Sequence, residues 1–268
     1  MAEPRRPLLV FDSGLGGLTV LRAVRETPHG RPVIYVADDA AFPYGDWPEP
    51  TLRARLVALF SELLARYRPA IVVLACNTAS TLALADLRRI DSQVTFIGTV
   101  PAIKPAAQHS ESGVIALLST PATARQPYTR DLIDRYAAHC HVEVVPSGRL
   151  ARLAESHVQG RAVSERDVLG EIAACFVTRD GQRTDVVVLA CTHYPLLADM
   201  LCRLAPWPVR WLDPAPAIAQ RVMALSIDRA PDGVARRQRD VAVFTRGTPA
   251  EPIQRLITAE GLVLERLD

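Results

Sequence analysis

The sequence predicts an α/β protein made of two similar halves, each built on a mainly parallel sheet. Short β-branched runs alternate with amphipathic stretches along the whole chain, the pattern of βαβ units. Ala75-Cys76-Asn77-Thr78 and its near copy Ala190-Cys191-Thr192-His193 each close such a run, and 115 residues, about one domain, separate Cys76 from Cys191. A chain of 268 residues is long for one core and sufficient for two.

The first expected strand, Leu8 to Phe11, ends in Asp12, Ser13 and the turn Gly14-Leu15-Gly16-Gly17. That turn lacks Gly-x-Gly-x-x-Gly spacing, so a dinucleotide is not indicated. A second strand, Val33 to Val36, leads to Asp38, Asp39 and the rigid turn Phe42-Pro43-Tyr44-Gly45. A helix over Leu52 to Tyr67, a strand over Ile71 to Leu74, a helix over Thr81 to Arg89 and a strand over Val94 to Ile97 follow. Gly98 to Pro105 marks a crossing into a second domain with strands at Val114 to Leu118, Val142 to Val145, Val186 to Leu189 and Val209 to Leu212. Helical patterns over Arg130 to His139 and Glu165 to Thr178 separate them. The return is placed at Pro206-Trp207-Pro208, after which Val241 to Phe244 (strand) and Pro252 to Ala259 (helix) complete the first domain. The expected domains are therefore 1–98 plus 207–268, and 99–206.

With 49% apolar and 22% charged residues and a formal net charge of +2, the chain has the balance of a globular protein without a nucleic-acid partner. The expected ligand is a small molecule. No run approaches the ~18 apolar residues of a membrane span. The arginines near the start precede a short strand that reaches Asp12 at once, which is not the pattern of a signal peptide. Five cysteines, at 76, 140, 175, 191 and 202, show no Cys-x-x-Cys pair, which argues against a disulfide framework or a metal site and for a reducing, cytoplasmic location.

A lone cysteine after an apolar run is usually a packed core residue. The same Ala-Cys-polar-polar context twice, at strand ends where α/β proteins hold ligands, makes Cys76 and Cys191 candidate acid/base thiols instead. Two thiols could exchange protons at the two faces of one carbon without a cofactor. Cys140, Cys175 and Cys202 lack the context and receive no role. A helix N-terminus after each thiol would lower its pKa and bind carboxylates. Asn77, Thr78 and Thr192 can bond a ligand there or merely cap the helices. His193 can support the Cys191 thiolate. Asp12 can pair with a ligand ammonium, hold a proton-transfer partner, or cap the next helix. The Pro43-Tyr44-Gly45 turn can aim N–H groups and a phenol at a carboxylate, or be an ordinary turn. A two-lobed binding protein and a single-thiol cysteine hydrolase are the rival classes, and the hydrolase has no use for the second thiol.

Taken together, residues 11–20 (Phe-Asp-Ser-Gly-Leu-Gly-Gly-Leu-Thr-Val), Pro43-Tyr44-Gly45, residues 75–80 (Ala-Cys-Asn-Thr-Ala-Ser) and residues 191–197 (Cys-Thr-His-Tyr-Pro-Leu-Leu) resemble the glutamate racemases of the cofactor-independent aspartate/glutamate racemase superfamily. The resemblance runs from about residue 7 to 220. It implies two flavodoxin-like, doubly wound domains with the active site in the cleft between them, no cofactor, a homodimer, and D-glutamate supply for peptidoglycan. It implies Cys76 as the thiol for D-glutamate and Cys191 for L-glutamate, with Asp12, His193 and Glu155 assisting. Asp12, Ser13, Pro43, Tyr44, Gly45, Asn77, Thr78, Thr192 and His193 would contact substrate. Ala41, Asp39 and Pro214 depart from the family pattern, and an aspartate racemase is the neighbouring alternative.

Overall fold

The computed structural model describes residues 5–227 and 239–267. They form two compact units, residues 5–99 with 215–227 and 239–267, and residues 100–214. In chain order the first unit holds β1 (Leu8–Asp12), α1 (Gly17–Arg25), β2 (Val33–Ala37), α2 (Glu49–Tyr67), β3 (Ile71–Leu74), α3 (Asn77–Ile90) and β4 (Thr95–Gly98). The second holds α4 (Ile103–His109), β5 (Val114–Ser119), α5 (Pro121–Arg125), α6 (Pro127–Tyr136), β6 (His141–Pro146), α7 (Leu150–Val158), α8 (Glu165–Ile172), β7 (Thr178–Arg179), β8 (Gln182–Arg183), β9 (Val186–Ala190), α9 (Ala198–Leu204) and β10 (Arg210–Leu212). The chain then adds α10 (Ala215–Ile227), β11 (Val241–Phe244), α11 (Glu251–Ala259) and β12 (Val263–Glu265) to the first.

The first sheet has the order β12-β11-β2-β1-β3-β4 and the second β10-β9-β5-β6, every pair parallel. Strands β1, β2, β3, β5 and β9 are buried at every position, as continuous β-branched runs covered on both faces require. Read from its first strand, each unit contains the same order: β2-β1-β3-β4 in one and β6-β5-β9-β10 in the other. The chain reverses direction between β1 and β3, and again between β5 and β9. Those are topological switch points, where a crevice opens beyond the strand ends.

The first core centres on Phe11, Phe60 and Phe96, with ring centroids 4.7 and 6.1 Å apart in sequence order. The second gathers Ile103, Ile115, Leu117 and Val188. Helix α2 begins at a Pro48-Glu49-Pro50 entry and ends where Arg68 turns left-handed (φ 45°) before Pro69, a start and stop written in the sequence.

Two sequence expectations need correction. The pattern over Glu165 to Thr178 is helical only to Ile172. A 3-10 turn over Ala173–Cys175 ends it, and Thr178 opens a hairpin closed by Asp180-Gly181, both with positive φ (50° and 80°), the type I′ turn chemistry of an Asp-Gly pair. The return to the first unit falls after Pro214 rather than at residue 207. Strand β10 pairs with β9, Trp207 donates from Nε1 to the Thr184 carbonyl at 2.8 Å, and Phe176 packs edge-on against Trp207 and Trp211. Two half-buried aromatic anchors outweigh the turn signal of the flanking prolines. No ranges were expected for α4, α5, α7 and α10.

Candidate active site

In the first unit the switch point is flanked by Asp12, which ends β1, and Cys76, two residues beyond β3. Cys76 is extended (φ −82°, ψ 122°), so Asn77 opens α3 and the thiol sits at a helix N-terminus, as expected. Its Sγ lies 3.9 Å from Ser13 Oγ, and both side chains are buried. The Asp12 carboxylate is fully buried and accepts the Gly14 N–H at 2.9 Å, while the Tyr35 hydroxyl donates to the Gly14 carbonyl at 2.5 Å. Asp12 thus closes its own turn and does not cap the next helix, the structural alternative expected for it, since the N-cap of α1 is Gly16. A Cβ at Gly17 would lie 2.7 Å from the Asp12 Cβ, so the glycine-rich stretch serves a close approach of α1 to this carboxylate rather than a nucleotide.

Asn77 is 2% exposed, and neither oxygen nor nitrogen of its amide has a hydrogen-bond partner among the described residues. A buried amide left unpaired costs roughly 1–3 kcal/mol. Such an orphan beside a thiol is what a polar ligand would satisfy. Thr78, next on the helix, is also buried.

Tyr44, fully buried, follows the half-buried Pro43 and precedes the half-buried Gly45. The turn it belongs to packs against α3. Its hydroxyl donates to Asp38 Oδ2 at 2.7 Å. Burial, then the Asp38 carboxylate and more weakly Cys76 and Asp12, raise the phenol well above its ordinary range, so it acts as a donor and not a base. Asp38 itself was no candidate from sequence. It receives Tyr44, Arg55 (2.8 Å from Nε, 2.5 Å from Nη2) and the Thr245 hydroxyl (2.6 Å) from three segments of the chain. Burial alone would raise its carboxyl; the hydrogen bonds from Arg55, Thr245 and Tyr44 and the Arg55 charge hold it below the ordinary value instead. Of the departures from the family pattern, Asp39 accepts the Arg246 N–H at 2.9 Å and Ala41 is buried.

In the second unit Cys191 follows β9 as Cys76 follows β3. Here the expected helix start is corrected. Tyr194 N bonds the Cys191 carbonyl and Leu196 N that of His193, forming a 3-10 turn over Tyr194–Leu197 around Pro195, and α9 begins only at Ala198. The thiol meets an imidazole in place of a regular helix end. Cys191 Sγ lies 3.9 Å from His193 Nδ1, and His193 Nε2 lies 3.0 Å from Glu155 Oε1. Both thiol and imidazole are nearly inaccessible, with Thr192 buried between them. Glu155 comes from α7, and Gln159 Nε2 donates to its second oxygen at 3.3 Å. His193 therefore faces the Cys191 thiol through Nδ1 and the Glu155 carboxylate through Nε2.

Of the other cysteines, Cys175 is buried and its thiol is pushed up to about 12, chiefly by burial. Cys202 is exposed. Among the described residues no group of three or more His, Cys, Asp or Glu is placed to hold a metal ion, and no helix is long and apolar enough to cross a membrane.

Two parallel α/β units, each with a thiol at its switch point, define a racemase of the aspartate/glutamate type. Residues 19–222 match the family described as Asp/Glu/Hydantoin racemase; the chain belongs to that family and is an amino-acid racemase. The glutamate racemase of Brucella canis is 54% identical over 259 residues, covering 97% of this chain and 94% of that protein, and that of Brucella anthropi is 54% identical over 261 residues with the same coverage. The structure of Escherichia coli glutamate racemase in complex with L-glutamate and the activator UDP-MurNAc-Ala superposes with a TM-score of 0.89 at 37% identity, covering 98% of both chains. That of Thermus thermophilus glutamate racemase with beta-chloro-D-alanine gives 0.73 at 29% identity, covering 100% of this chain and 98% of the other.

Proposed function

We propose that this chain interconverts L- and D-glutamate by direct proton transfer between two thiols and the α-carbon, and so supplies D-glutamate for peptidoglycan synthesis in the cytoplasm. The observation that carries the reading is the placement of Cys76 and Cys191 at the same topological position of two like-ordered sheets. The naming of the relatives in Brucella and E. coli as glutamate racemases supports the choice of substrate.

In the forward direction the Cys191 thiolate removes the α-proton of L-glutamate, and the Cys76 thiol delivers a proton to the other face. The reverse reaction exchanges the roles. Thiols have an ordinary pKa near 8.5, so modest stabilisation of the thiolate suffices near neutrality. The α3 N-terminus adjoins the Cys76 thiol, and the imidazole of His193, held by Glu155, adjoins that of Cys191. Asp12 assists at Cys76. The substrate carboxylates are held by Ser13, the Pro43-Tyr44-Gly45 turn, the orphan amide of Asn77, Thr78, Thr192 and His193, which also stabilise the charge that develops at the α-carboxylate.

The enzyme is expected to act as a homodimer, checked by sedimentation. The function itself is tested by following the optical rotation of L-glutamate with pure protein, with L-aspartate in parallel. Loss of the L-glutamate signal to zero is the expected result. Turnover of L-aspartate alone would move the assignment to the neighbouring racemase, and binding without turnover would overturn it.

A further inference from the structure

We infer that Ser147 and Glu171 are positioning residues for the proton transfer at Cys191, acting through the start of α7; this rests on the two-thiol reading above. Ser147 stands immediately after β6, with its N–H on the Ser119 carbonyl at 2.8 Å, and is 3% exposed. Its hydroxyl accepts the N–H of Leu150, the first residue of α7, at 3.1 Å. The same hydroxyl donates to Glu171 Oε2 at 2.6 Å, and that oxygen also accepts the Arg149 N–H at 3.1 Å. One carboxylate on α8 therefore holds two points, Ser147 and Arg149, of the loop that launches α7.

The consequence is carried along the helix. Glu155 lies five residues after Leu150, about 7.5 Å along the axis, so a tilt or register change of the first turn moves its carboxylate directly. Helix α7 also packs against the Tyr194–Leu197 turn that follows the thiol and against α8. The chain of contacts runs Glu171, Ser147, Leu150, Glu155, His193, Cys191, and every link is a hydrogen bond, a covalent helix segment or the 3.9 Å approach of imidazole to thiol. An error of an ångström in such a constellation costs about 100-fold in rate. Glu171, Ser147, Glu155 and Cys191 all belong to the unit of residues 100–214, so the effect is expected at the proton transfer of Cys191.

That asymmetry supplies the test. Because the enantiomers have equal energy, kcat/KM must fall equally in both directions; the primary isotope effects need not. In Ser147→Ala and Glu171→Gln, kcat/KM should fall by about 10- to 100-fold. The isotope effect measured with Cα-deuterated L-glutamate, deprotonated at Cys191, should rise, and that with Cα-deuterated D-glutamate should fall. Ser147→Thr, which keeps the hydroxyl, should recover most of the activity. If one serine variant does not fold, Glu171→Gln carries the measurement. Native isotope effects in both variants, with or without lost activity, overturn the inference. His193→Gln separates the failures: if it shifts the pair of isotope effects and the other variants do not, only the positioning role falls, whereas if it too leaves them unchanged, the role of Cys191 falls.

Discussion

Glu155 Oε1 lies 3.0 Å from His193 Nε2, joining a helix residue to a strand-end residue 38 positions later. This pair is the specific difference between the two thiol sites, since Cys76 has a regular helix N-terminus and Cys191 a 3-10 turn with a carboxylate-held imidazole. Glu155→Gln preserves the shape and removes the charge. The loss of a charge-assisted hydrogen bond of about 1.5–3 kcal/mol should lower kcat/KM roughly 10- to 100-fold, measured by polarimetry. A native rate would remove Glu155 from the mechanism.

Replacing either thiol tests the two bases themselves. Cys76→Ala and Cys191→Ala should each lose about 10²- to 10⁴-fold in racemisation, the usual worth of a general acid or base. Solvent-deuterium incorporation into L- and D-glutamate, read by mass spectrometry, checks it. Racemisation at the native rate in either variant contradicts the mechanism.

Gly17→Ala should damage the Cys76 site from a distance. The added methyl would stand 2.7 Å from the Asp12 Cβ and 3.2 Å from the Tyr35 ring. Overpacking of this kind costs about 1–3 kcal/mol, and the displaced Asp12 should lower kcat as well. Urea unfolding and steady-state rates on the same sample separate the two effects.

Asp38 governs stability toward acid. Its carboxyl is held below its ordinary value in the fold, so its contribution is present in full above the unfolded pKa of about 3.9 and is lost as pH falls through the lower folded value. Asp38→Asn should flatten the stability curve below about pH 4. Asp38→Ala leaves the buried Tyr44 hydroxyl without its acceptor and should cost about 1–3 kcal/mol at neutral pH. Denaturation midpoints between pH 3 and 7 decide it; an unchanged acid slope in the Asn variant contradicts the assignment.

Cysteine labelling distinguishes packed from exposed thiols. With native protein and iodoacetamide at pH 8, exposed Cys202 should be alkylated while Cys175, whose thiol is pushed up to about 12 by burial, stays unmodified. Peptide mass spectrometry gives the order of labelling, and early modification of Cys175 would contradict its placement.

Much of the fold was legible because parallel strands buried on both faces must be short continuous apolar runs, and Ile71–Leu74 and Val186–Ala190 could hardly be anything else. The end of the Glu165 helix and the position of the return were not legible. The first was marked by Asp180-Gly181, a turn signal that a helical pattern obscured, and the second by Trp207 and Trp211, whose partners Thr184 and Phe176 are distant in sequence. Asp38 escaped notice for the same reason, because its worth depends on Arg55 and Thr245 arriving from elsewhere.

By itself the sequence determined the alternation of strand and helix, the two thiols and their immediate polar neighbours, since these depend on local composition and on spacing along the chain. Only the tertiary structure decided that Asp12 lies against Gly17, that Asn77 has an unpaired amide, that Asp38 gathers three donors, and that Ser147 and Glu171 stand behind Glu155. Those relationships join residues far apart in sequence, and hydrogen bonding at about 3 Å is a property of positions in space that no local pattern encodes.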